Sequence, residues 1–255
     1  MEIILEQCML FLISLLANGL SALAGGGAGL LQLPALLFLG LAFGTALATH
    51  KIASVALGVG ATFRHLKEKG IDPRFAGFIL LTGLPGVVLG ALIILAVPDA
   101  VARLILGIFT AGLGIYSWRS PKLGLNADVK HRDLTGWIIG GAGLFFIGFL
   151  NGSITSGTGL FVTIWLVVWF GFDYQRAVTY TLILVGLFWN GFGAITLAMQ
   201  TDVKWEWIPA LIAGALLGGY FGAHLSIAKG SRLVKRCFES VTVAVGISLI
   251  VDGLL

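Results

Sequence analysis

Charge is the scarcest resource in this 255-residue sequence. Lys, Arg, Asp and Glu make up 11% of it, against 58% hydrophobic residues and a mean hydropathy of +1.00. A soluble domain carries about 25% charged residues, so that class is excluded. No polar stretch is long enough to build a water-soluble domain, and the chain reads as one integral membrane unit. Cysteine is nearly absent. Cys8 and Cys237 lie in apolar helical surroundings without CxxC spacing, which argues against a disulfide framework or a thiolate metal site. There is no Walker A motif, so ATP-driven pumping within this chain is not expected. There is also no HExxH element and no intramembrane pair of carboxylates, so neither enzymatic chemistry nor a cofactor or metal is expected. The start of the chain carries Glu2 and Glu6 but no basic residue ahead of its apolar run, so the first segment reads as a retained helix rather than a cleaved signal.

What is abundant is apolar sequence in helix-length pieces. Ten segments are expected, at about 8–24, 29–41, 42–63, 74–97, 98–118, 133–153, 158–171, 174–198, 205–228 and 231–253. A full span needs ~20 residues, so the second and seventh are too short to cross, and the first is marginal. The basic residues gather in three loops: Arg64, Lys67, Lys69 and Arg74; Arg119, Lys122, Lys130 and Arg132; and Lys229, Arg232, Lys235 and Arg236. Positive loops stay cytoplasmic, which places all three inside a plasma membrane (the inner membrane of a bacterium) and both termini outside. The net charge of +4 is therefore topological and implies no nucleic-acid partner; the expected surroundings are the lipid bilayer. Trp118, Trp137, Trp205 and Trp207 fall near segment ends, as in an interfacial belt.

Glycine is plentiful, at 37 residues, and its placement repeats. Gly27, Gly29 and Leu30 align with Gly157, Gly159 and Leu160. Further along, Gly86, Gly90 and Ala91 align with Gly218, Gly222 and Ala223, and Thr110 and Gly114 with Thr242 and Gly246. Asn18-Gly19 and Asn151-Gly152 precede the two glycine-rich breaks. The expected fold is thus all-α and integral to the membrane, with a repeat over 1–118, a cytoplasmic linker over 119–132 and a repeat over 133–255. With about five helical segments in each half, the second copy must be inverted relative to the first. The GxxxG stripes at Gly86/Gly90 and Gly218/Gly222 read as close helix packing.

Inside a bilayer, non-helical backbone survives only where protein or a wet cavity satisfies it, so both breaks belong near the midplane at a binding site. A helix starting at Gly29 or Gly159 offers unpaired N–H groups and the positive end of its dipole, which suits an anion. Lys51 lies in the middle of the third segment with no acidic residue at similar depth. Such a lysine costs roughly 2.5–3.5 kcal/mol unless partnered or hydrated, so it reads either as an anion ligand or as a donor to carbonyls at the broken helices. His50 beside it is the candidate for proton coupling. Gly26, Gly27 and Gly29 from the first break, and Asn151, Thr155, Ser156, Gly157, Thr158 and Gly159 from the second, complete the candidate binding residues together with Asn190. Ser153, Thr155, Ser156 and Thr158 read equally as local caps of freed backbone. His224 reads as a packing residue or as a second titrating group. Glu239 reads as the helical partner of Lys235.

At these positions the chain resembles the TauE/SafE family of sulfite and organosulfonate exporters. The likeness covers nearly the whole chain. Gly25-Gly26-Gly27-Ala28-Gly29, the run Leu30 to Leu37 with Pro34, and Ala48-Thr49-His50-Lys51 resemble the family's first-half elements. Asn151-Gly152-Ser153-Ile154-Thr155-Ser156-Gly157-Thr158-Gly159 resembles its second-half element. His50 stands where the family pattern has Asn, and Asn151 where it has an acid. Thr181-Leu182 stands where the second half has Thr-Lys, so a single midplane lysine is left. The resemblance implies a secondary transporter of a small anion, with export of sulfite or an organosulfonate by alternating access as the first expectation. An anion channel, or a transporter of another small carboxylate or sulfur anion such as thiosulfate, is the alternative. No feature of the sequence sets an oligomeric state.

Overall fold

The structure, a computed structural model, describes residues 2–65, 71–93, 99–153 and 157–254, and among these it is helical with no strand. The helices are α1 (Glu2–Ala24), α2 (Gly29–Phe38), α3 (Phe43–His65), α4 (Pro73–Ile93), α5 (Asp99–Arg119), α6 (Leu134–Ser153) and α7 (Thr158–Val168). They continue with α8 (Tyr174–Tyr180), a π-helical stretch (Thr181–Trp189), α9 (Asn190–Ala198), a 3-10 turn (Trp205–Trp207) and α10 (Ile208–Leu254). Helix α8, the π-helical stretch and α9 are one continuous rod, matching the expected segment 174–198. Helix α10 is two helices joined at Gly230, whose φ of 73° and ψ of −177° interrupt the ladder. All ten expected segments are therefore present. The first is longer than its apolar run, because α1 takes in Glu2 and Glu6 to reach 23 residues.

Six helices among the described residues are long and apolar enough to cross a membrane, while α2 and α7 are short and apolar. Large apolar side chains face outward: Phe38 and Met199 are 89% and 83% exposed, as lipid contact requires. The buried interior holds Trp189, Tyr174, Tyr180, Phe170, Phe238 and, unusually, Lys51.

Each short helix folds back on the long one before it. Trp165 of α7 and Trp169 just past its end donate their indole N–H groups to the Gly140 and Gly136 carbonyls of α6 at 3.1 and 3.0 Å, which fixes an antiparallel pair. Gln32 of α2 meets Asn18 of α1 at 3.0 Å, closing the first pair the same way. The two hairpins enter from opposite ends. The open end of α1/α2 lies beside the 3-10 turn, where Gln7 donates to the Glu206 carbonyl at 3.0 Å. The open end of α6/α7 lies against Phe75 at the start of α4, near the linker. The GxxxG stripes do the expected packing: an added Cβ on Gly86 or Gly90 would strike the Phe145 or Phe149 carbonyl of α6, and one on Gly218 or Gly222 the Leu15 or Gly19 carbonyl of α1.

The three basic loops converge on one end of the bundle. The Asp72 N–H donates to the Tyr180 hydroxyl at 2.6 Å, and Ser231 donates to Asp173 at 3.2 Å. Lys235 reaches the Ser117 and Ser120 carbonyls at 2.7 and 3.1 Å and pairs with Glu239 at 2.9 Å, the helical pair the sequence suggested. Two of the four expected belt tryptophans behave as such, since Trp118 and Trp205 are exposed. Trp207 is instead buried, and Trp137 packs into an aromatic cluster with Phe75 and Phe78, because both lie on faces turned toward neighbouring helices.

Candidate functional site

The tips of the two hairpins touch. A Cβ added to Gly26 would lie 2.5 Å from the Gly159 carbonyl carbon and the Leu160 nitrogen, so only glycine allows the approach. Gly25, Gly26 and Gly27 all hold positive φ, a backbone that side-chain-bearing residues rarely adopt. A cross-link seals the junction: Thr163 of α7 donates its one hydroxyl proton to the Gly25 carbonyl at 2.7 Å and accepts from the Thr181 hydroxyl at 2.9 Å. Neither α2 nor α7 has a side-chain cap at its start, so the first N–H groups of both helices rely on other partners.

Against these tips lies a cavity of about 40 Å³ measured to water centres. A single water needs ~10–15 Å³ on that measure, so the space holds a few waters or one small solute. Gly26, Gly27, Ala28 and Gly29 form one wall and Thr158 and Gly159 another. His50, Ser54, Asn151, Thr181, Asn190 and Ser21 supply polar groups, and the rest of the lining is apolar or glycine. Most candidates from the sequence thus meet at one place although up to 164 positions separate Gly26 from Asn190. Gly157 is buried at the left-handed turn that starts α7, at φ 77°, just behind this wall. Thr155 and Ser156 lie outside the described residues.

Lys51 takes the second of the two roles its position suggested. Its ammonium does not line the cavity. It donates to the Asn151 carbonyl at 2.7 Å, to Asn151 Oδ1 at 2.9 Å and more weakly to Asn190 Oδ1 at 3.5 Å. An ammonium has three donors, and all three are used on carbonyl-type oxygens: two on Asn151 near the C-terminal end of α6, where the helix dipole is negative, and one on Asn190 at the start of α9. The alkyl stem fits because residue 193 is glycine: an added Cβ there would come within 3.0–3.2 Å of the Lys51 Cδ, Nζ and Cε. Asn151 in turn donates from Nδ2 to the Thr158 hydroxyl at 2.9 Å. The positive charge therefore stands one residue behind the cavity wall, and Asn151 and Asn190 carry its polarity forward.

His50, also in the lining, sits in a small polar network. Its Nδ1 is 3.3 Å from Gln32 Oε1, and Ser54 Oγ lies 3.2 Å from Nε2. Gln32 is shared with Asn18, whose Nδ2 also reaches the Ser14 carbonyl at 2.8 Å, while Ser14 donates to the Leu211 carbonyl at 2.6 Å. Gln32, Ser54, Ser21 and Thr163 were not singled out from the sequence. Gln32 had a readable signal, as the sole amide in the short apolar run of α2; the serines and threonine had none, since helical hydroxyls most often bond their own backbone. His224 is exposed at the basic end, accepting from Arg64 Nε at 3.0 Å, and takes no part in the cavity.

Comparison with known proteins places the chain in a family. The family model for the sulfite exporter TauE/SafE matches residues 10–249. A probable membrane transporter protein of Haemophilus influenzae is 29% identical over 89% of this chain and 88% of its own length. The probable membrane transporter protein YfcA of Escherichia coli is 28% identical over 96% and 90%, and the probable membrane transporter protein YunE of Bacillus subtilis is 22% identical over 96% and 98%. No solved structure matches the chain at significance. With the family model spanning almost the whole sequence and a multi-pass helical fold around it, this chain belongs to the TauE/SafE sulfite exporter family of membrane transporters.

Proposed function

We propose that this transporter moves a small anion, sulfite or an organosulfonate first, outward across the membrane by alternating access. One observation carries the reading: two uncapped helix starts, built on glycine, converge from opposite ends on a polar cavity backed by a buried lysine. The backbone N–H groups near Gly27–Gly29 and Gly157–Gly159 would meet the solute's oxygens, with Thr158, Asn151 and Asn190 beside them, while the Gly26 N–H stays on the Ser21 carbonyl at 2.8 Å. Lys51 compensates the charge through Asn151 and Asn190 and holds the α6 end in position. His50, within reach of both the cavity and Gln32, is the group whose protonation would track transport.

In this reading residues 1–118 and 133–255 are inverted copies, joined by the linker 119–132, and one copy rocks against the other around the glycine contact. The opposite entry of the two hairpins and the matched GxxxG packing support it. Proteoliposomes preloaded with unlabelled sulfite should accumulate labelled sulfite transiently by counterflow, with saturation. Linear, non-saturating flux without counterflow would mark an anion channel instead. Saturable counterflow of thiosulfate or a carboxylate in preference to sulfite would move the substrate within the same class.

A further inference from the structure

A second concentration of positive charge lies at the basic end of the bundle. Arg132, just before α6, sits in an aromatic cage: its guanidinium carbon is 4.6 Å from the Phe75 ring centre, 5.1 Å from Phe170, 5.4 Å from Phe172 and 5.7 Å from Trp137. Arg176, in the first turn of α8, stands 4.8 Å from the same Phe172 ring and 6.0 Å from Tyr180. Two guanidinium groups over one phenyl ring repel each other. Burial, and then the Arg176 charge, hold the Arg132 guanidinium below its ordinary range, with Tyr180 and Asp72 opposing in part.

Among the described residues no ion pair involves either arginine, and Arg132 has one long bond to the Phe170 carbonyl at 3.5 Å, while its Nη1 is buried without any hydrogen-bond partner. Asp72, the nearby acid, accepts the Arg74 N–H at 2.9 Å. Asp173 is occupied by Ser231 and the Arg176 N–H. A buried, unpaired guanidinium N–H beside a second cation is an arrangement that an anion completes, since arginine's planar fork matches oxyanion geometry.

The place of this pair in the fold gives it a role. Tyr180 immediately precedes Thr181, which lines the central cavity, and its ring packs on Phe75 at 5.6 Å and on Phe172 at 5.2 Å. Phe75, Phe172 and Tyr180 thus form an aromatic floor joined to the cavity lining through Tyr180–Thr181, with both arginines stacked against it.

We infer that Arg132 and Arg176 form a second oxyanion site, on the cytoplasmic side of the aromatic floor, where an anion is held before it enters the central cavity. The inference extends the proposed transport reading and takes its sidedness from the positive-inside expectation. The ligand is a compact oxyanion group, supplied either by the free solute or by an anionic lipid headgroup at this membrane-proximal height.

Binding of [35S]sulfite to the protein in nanodiscs of zwitterionic lipid separates the two sites. The wild type should show two saturable components, Lys51→Met should lose the central one, and R132Q/R176Q should lose the other. In the Lys51→Met background, Arg176→Gln alone, a change at an exposed side chain that spares the cage, should weaken the remaining component by about tenfold. If Lys51→Met abolishes all saturable binding and the arginine changes alter nothing, the inference is overturned while the central site stands. If the arginine changes remove a component and Lys51→Met removes none, the central reading falls and this one holds. In nanodiscs containing phosphatidylglycerol, loss of the arginine-dependent component, with lipid co-purifying with the wild type but not with R132Q/R176Q, identifies the headgroup as occupant. Absence of both sulfite and lipid dependence on the arginines sinks the site.

Discussion

Replacing Lys51 by Met should leave the protein folded and weaken anion binding by about a hundredfold. The stability terms nearly cancel. Removing the ammonium relieves roughly 2.5–3.5 kcal/mol of intramembrane charge burial. Against that, the Asn151 carbonyl and Oδ1, which accept at 2.7 and 2.9 Å, lose their donor, at about 1–3 kcal/mol each. The Met side chain keeps the stem that lies along Gly193, so no cavity opens. The binding term does not cancel. An anion in the cavity beyond Asn151 would sit roughly 6 Å from the ammonium, and two unit charges at that distance in an effective dielectric of about 20 interact by ~2.8 kcal/mol. At 1.4 kcal/mol per decade this is about a hundredfold in affinity. The assay is sulfite concentration dependence of counterflow in proteoliposomes, with size-exclusion behaviour and thermal unfolding as fold controls. A well-folded Lys51→Met protein whose half-saturation moves less than twofold would refute the electrostatic role of this residue.

Other changes follow from the same geometry. Gly26→Ala should destabilise by roughly 2–5 kcal/mol, adding a positive-φ cost of ~1–2 to an overpacking cost of ~1–3, and should abolish transport. Gly40→Ala, with φ 92° but nothing within 4 Å, should incur only the ~1–2 kcal/mol backbone cost, so equal shifts in unfolding temperature for the two would contradict the tip-to-tip packing. Gly193→Ala should push the flexible Lys51 head away from Asn190 and raise the half-saturation concentration less than Lys51→Met does, with the unfolding temperature nearly unchanged. Glu239→Gln should leave Lys235, 7% exposed, without its counter-charge and cost on the order of 3 kcal/mol; the double variant K235M/E239Q should recover most of the loss in thermal unfolding, and no recovery would show that the pair does not act as a unit.

Segment number, the two breaks and the basic loops were readable from the order of residues, and most segment ends to within a few positions, the start of α1 excepted. The reason is that lipid leaves few choices: an apolar run must be helical, a glycine-rich interruption must be sheltered, and cationic loops stay on one side. Lys51, Asn151 and Asn190 stood out for the same reason, as polar groups the bilayer tolerates only at a site. What the order of residues left open was pairing. That Gly26 lies on Gly159, that Lys51 spends its three donors on Asn151 and Asn190 rather than on the cavity, and that Gln32, Ser54 and Thr163 belong to the site depend on which faces of distant helices meet. The same holds for Trp137, expected at the interface and found in an aromatic cluster, and for Arg132 in the linker and Arg176 in α8, which only the tertiary structure brings to one phenyl ring. Local chemistry chose the helices and where they break; only packing between helices far apart in sequence, set by glycine stripes that let backbones touch, decided which side chains share a cavity.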